Sequence, residues 1–62
     1  MTEEKRAAEA RRFVDRIDRI DRVLMDLMLD LHQAAAIESR SDVRDARNAL
    51  TRARVRLAEV AK

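Results

Sequence analysis

The residues with the most chemical potential in this chain form a near-repeat, Asp15-Arg16, Asp18-Arg19 and Asp21-Arg22, preceded in turn by Val14, Ile17 and Ile20. Paired carboxylates can divide acid and base duties, but only in a dry pocket that drives their pKa values apart. A period of three drifts around an α-helix, so these groups become neighbours three and four residues apart; Asp15 with Arg19 and Asp18 with Arg22 have the better orientation. That is the pattern of a solvated, self-paired helix face. His32 is the one histidine, and Leu29 and Ala36 stand where a helical metal site would place its second ligand. The chain has no cysteine, and no serine or threonine has a histidine nearby to activate it. The expectation is a protein that is not an enzyme, with no metal and no cofactor.

The elements that carry these residues are helices. Glycine and proline are both absent from the 62 residues, and alanine, arginine, leucine and glutamate favour helix almost throughout. Thr2 is placed to cap the first helix, with Glu3 and Glu4 against the positive end of its dipole. An apolar stripe at steps of three and four runs Ala10, Phe13, Ile17, Ile20, Leu24, Leu27, Leu31, Ala34. It fails at Glu38, Ser41 and Asp45, then restarts as Val43, Ala46, Leu50, Ala53, Leu57, Val60. Such a seam needs another helix to cover it.

Ser39 and Asp42 resemble a capping box, so the break reads as a turn. The expected organisation is a single all-α domain over 1–62: helix 1 at about 3–37, a turn at about 38–41 and helix 2 at about 42–61. One long kinked helix is the rival. Folded back antiparallel, helix 2 would set Ala46 near Ala34, Leu50 near Leu31, Ala53 near Leu27 and Val60 near Ile20. Ala10, Phe13, Val14 and Ile17 would then overhang, and a second subunit would cover them. With one small core and no disulfide, self-association into an antiparallel four-helix bundle, a coiled-coil-type homodimer, is the expected remedy.

Two surfaces are left for binding. Met25, Met28 and Leu29 lie outside the stripe, so they are either more dimer core or a patch offered to another protein, for which adaptable methionines are suited. Residues 39–62 carry seven basic and three acidic groups, and Arg40, Arg44, Arg47 and Arg54 share one arc. Those arginines either pair with Asp18, Asp21, Asp26 or Asp30 of a neighbouring helix or meet phosphates as candidate nucleic-acid contacts. Phe13 is the only aromatic residue and the net charge is +2, which is thin material for nucleic-acid recognition. No signal-peptide or membrane-spanning run appears in the sequence, and a cytoplasmic location is expected. The leading reading is a small protein-interaction module, such as an adaptor, inhibitor or assembly factor, acting as a homodimer; the alternative is a nucleic-acid-binding dimer.

Two resemblances bear on these readings. Met1-Thr2, Glu4-Lys5 and Arg12-Phe13-Val14 resemble the opening of the Rop family of plasmid copy-control proteins, short hairpins that dimerise into four-helix bundles and bind paired RNA loops. The resemblance covers the first quarter of the chain and implies an RNA-binding role for Arg12 and Phe13 alone, whereas Phe13 also fits the apolar seam. Ile17-Asp18-Arg19-Ile20-Asp21, with Leu24-Met25 and Leu27-Met28, resembles the long first helix of the all-helical chorismate mutases. The two substrate-binding arginines of that family would fall at Val14 and Leu31, so the resemblance implies no active mutase.

Overall fold

The computed structural model describes residues 2–62; Met1, part of the charged opening, lies outside the described residues. Among those residues the chain is two α-helices and no strand: α1 spans Glu3–Gln33 and α2 spans Ile37–Val60. They fold back on each other as a hairpin whose Cα extents are 49 × 15 × 14 Å, the length of α1 at about 1.5 Å per residue. The single kinked helix is thereby excluded. No helix among the described residues is long and apolar enough to cross a membrane.

Thr2 caps α1 as its residue type suggests: its hydroxyl accepts from the Lys5 N–H at 3.3 Å, and Glu3 and Glu4 fill the first turn. The other end departs from the expectation. The turn occupies residues 34–36 rather than 38–41, and Ser39 and Asp42 lie inside α2 instead of capping it. Ala35 takes the left-handed conformation, φ 58°. The Ala36 N–H donates to the Leu31 carbonyl at 2.9 Å and the Ala35 N–H to the His32 carbonyl at 3.1 Å. This is the double bond pattern of a Schellman cap with alanine in the place usually held by glycine. A Cβ there costs about 1–2 kcal/mol, which the closing of the hairpin must offset.

The early turn moves the register of the hairpin. Arg54 meets Asp18, Arg47 meets Asp21, and Arg11 donates to the Ala61 carbonyl at 3.1 Å. Helix α2 therefore lies about two turns nearer the amino-terminal end of α1 than the pairing of Ala53 with Leu27 required. Only the first two turns of α1 project beyond it. The expected overhang of Ala10, Phe13, Val14 and Ile17 is corrected accordingly: Ala10 is buried, 3% exposed, and Val14 and Ile17 are half-buried.

The seam itself is rotated. On α1 the residues that are buried or half-buried at alternating steps of three and four are Ala7, Ala10, Val14, Ile17, Asp21, Leu24, Met28 and Leu31. On α2 they are Val43, Arg47, Leu50 and Leu57, continued by Ala61 at its C-cap, with Arg54 completing the spacing. Half of the expected stripe is thus in the seam, and the other half, Phe13, Ile20, Leu27 and Ala34, stands beside it, exposed.

Candidate interaction surface

The rotated seam gives the hairpin two unlike flanks. On the polar flank, Arg47 donates through Nε and one terminal nitrogen to the two carboxylate oxygens of Asp21, at 2.8 and 3.1 Å. Arg54 does the same to Asp18, at 2.7 and 3.3 Å. Two-point pairing of this kind fixes geometry as well as charge. The arginine hydrogen bonds hold the Asp18 and Asp21 carboxyls below the ordinary carboxylate value, and the carboxylates raise the pKa of each arginine in return.

Among the described residues none of the expected pairs within α1, such as Asp15 with Arg19, is closed. The repeat is read across the hairpin, because α2 presents arginine every seventh residue, at 40, 47 and 54, to the side of α1 that carries Asp18 and Asp21. Two of the four candidate phosphate-binding arginines are consequently engaged. Arg44 donates to the Ser41 hydroxyl at 3.2 Å and lies 4.0 Å from Asp45, with its side chain well exposed. Arg40, toward the turn, is exposed.

Near the turn the same flank opens into two adjoining hollows that share Met28 and Arg40. One is lined by Met25, Met28, Leu29, His32, Arg40 and Arg47, the other by Met28, Ile37, Arg40, Ser41 and Arg44. Met25 and Leu29 are exposed, while Met28 is half-buried and receives a 3.8 Å contact from an Arg47 terminal nitrogen on its sulfur. The surroundings are an apolar floor with a cationic rim.

On the opposite flank no ion pair forms among the described residues. Phe13, Ile20 and Leu27 succeed one another every seven residues and are 45%, 47% and 41% exposed, with Val23 beside them at 66%. Across the groove α2 contributes Ala46, Ala49 and Val60, all exposed, and the half-buried Ala53. Nothing charged interrupts the strip from Phe13 to Ala34 at this spacing. Its residue types were visible in the sequence; its separation from the seam was not, because the sequence stripe merged the two.

Compared with protein-family models, curated proteins and solved structures, the chain matches none.

Proposed function

We propose that this chain is a non-enzymatic helical interaction module, in which the apolar flank joins two copies and the hollow near the turn receives a partner protein. One observation carries the dimer. Among the described residues a single side chain, that of Ala10, is buried. The hairpin exposes 5174 Å², whereas a compact monomer of its mass would expose about 4,100 Å². The excess, about 1,000 Å², is close to the roughly 800 Å² that each partner contributes to a standard interface. A second copy suits the strip because it is uncharged and sets large side chains on α1 beside small ones on α2, so it can pack against itself.

For the hollow, charge and shape favour an acidic amphipathic helix. Its apolar side chains would rest on Met25, Met28 and Leu29, and its carboxylates would meet Arg40 and Arg44, while Arg47 and Arg54 stay with their aspartates. The recognition resembles that of an amphipathic segment in a methionine-lined groove. Sedimentation equilibrium of the intact chain tests the first half, and a monomer across the micromolar range would defeat it. For the second half, a fluorescent, glutamate-rich amphipathic peptide should bind, and Met25→Lys with Leu29→Lys, or Arg40→Glu with Arg44→Glu, should abolish binding and leave the dimer intact. Binding of duplex DNA or an RNA hairpin instead, with affinity falling log-linearly with salt and lost in the arginine variant, would overturn the protein reading in favour of phosphate recognition.

A further inference from the structure

The edges of the apolar flank choose how two copies meet, given the proposed dimer. Two hairpins laid flank to flank have two closed arrangements. A two-fold axis along the helices sets α1 beside the second copy's α2. A two-fold axis across them sets α1 beside the second copy's α1 and α2 beside its α2. Neighbouring helices run antiparallel in both, so apolar burial alone does not separate them.

Charge does. The outer edge of the flank carries Arg16, Val23 and Asp30 on α1 and Asp42, Ala49 and Arg56 on α2, seven residues apart in each helix and all exposed. The contacts of Arg54 with Asp18 and of Arg11 with Ala61 set Arg16 toward Arg56, Val23 toward Ala49 and Asp30 toward Asp42, and the pairing of Arg47 with Asp21 shifts this by four residues, so each match holds to within about one helical turn. With the axis along the bundle, Arg16 would sit beside the second copy's Arg56 and Asp30 beside its Asp42, four like-charge pairs in all. With the axis across it, α1 pairs with α1 about Val23 and brings Arg16 beside the second copy's Asp30. Helix α2 pairs with α2 about Ala49 and brings Asp42 beside the second copy's Arg56. The same choice sets Ile20 against Leu27, Phe13 against Ala34 and Ala46 against Ala53.

The centre on α1 and the centre on α2 follow from different residues, yet the cross-hairpin contacts place Val23 and Ala49 within about one helical turn of each other. A single axis therefore serves both helices. We infer that the dimer has its two-fold axis across the bundle at Val23 and Ala49, with four opposite-charge pairs at its edges. Like charges at the edges act against the alternative.

Cysteine placement tests this, since the chain has none of its own. Val23→Cys and Ala49→Cys should each cross-link to themselves with a short bis-maleimide, well above an outward-facing Arg19→Cys control. Cross-linking only when the two variants are mixed would establish the axial arrangement and overturn the inference while sparing the dimer. A chain that sediments as a dimer but cross-links in neither way would place the interface elsewhere and overturn it too. Monomeric sedimentation of the unmodified chain would remove the dimer reading itself. Charge reversal gives an independent sign: Arg16→Glu should weaken association several-fold and Asp30→Arg should restore it in the double variant, whereas the axial arrangement requires Arg16→Glu to tighten it.

Discussion

The two flanks of this hairpin are built from the same three-residue repeat and put it to opposite uses. On the polar flank, the aspartates at 18 and 21 meet Arg54 and Arg47 and complete their interactions within one chain. On the apolar flank, Ile20 of the same repeat, with Phe13 and Leu27 of the same stripe, stays nearly half exposed. Ion pairs at the edge of a seam contribute modestly to stability and strongly to register, because a slip separates every pair at once. Apolar strips contribute area and little register. One flank therefore aligns the helices, and the other supplies the surface that a second molecule can cover.

Substitutions should divide along the same line. Leu27→Lys places a charge in the middle of the apolar strip. It should weaken dimerisation at least about a hundredfold, since burying an uncompensated polar group costs about 3 kcal/mol. Sedimentation equilibrium alongside circular dichroism reads this, and an unchanged dimer would mean that the strip is not the interface.

Ala35→Gly acts on neither flank and gives the reference for the hairpin alone. It should stabilise by about 1 kcal/mol by removing the left-handed alanine. That corresponds to a rise in Tm of about 4–8 °C for a domain of this size.

Acid should act on the polar flank. Asp18 and Asp21 have folded-state pKa values below their ordinary ones, so their pairing stabilises fully above about pH 4 and is lost as pH falls through the lowered values. Urea unfolding between about pH 7 and pH 3 should show that loss. Asp18→Asn with Asp21→Asn should reduce it, with a Tm change of only a few degrees because both pairs are partly solvated. Smallest of all, Met25→Lys should alter hairpin stability and dimerisation by no more than about 0.5 kcal/mol, as exposed substitutions outside caps and cores do. A larger loss in thermal melts would make Met25 part of the core.

Much of the architecture was legible in the residues. The absence of glycine and proline, the Thr2 cap and the alternation of three and four were enough for two packed helices. The turn was misplaced because its usual marker is a glycine, and the chain closes it with Ala35 at a conformational cost that no residue type announces. The apolar stripe was also only half a seam. Ile17, Leu24 and Leu31 belong to it, but Asp21 takes the place that hydropathy assigns to Ile20, since a partly buried carboxylate reads as surface until its arginine is known.

The candidate surfaces divide in the same way. Met25 and Leu29 are exposed as their position off the stripe implied, and Phe13 is open, whereas Ala10, Val14 and Ile17 went to the hairpin seam once α2 reached them. Arg47 and Arg54 could be named as seam-flanking arginines from sequence, but Asp26 and Asp30 were equal candidates for them until the register was set.

What the sequence by itself determined is local: helix propensity, one cap, and a set of apolar positions that recur every seven residues, all properties of chain stretches a few turns long. What only the tertiary structure decided is relative: where the chain reverses, which aspartate meets which arginine, and how far α2 reaches along α1. The physical reason is that a helix repeats itself. Every heptad of α1 offers α2 nearly the same apolar fit, so the sliding and rotation of one helix on the other are degenerate in hydropathy. They are resolved by one left-handed alanine and two charge pairs, whose energies exist only once both helices are in place.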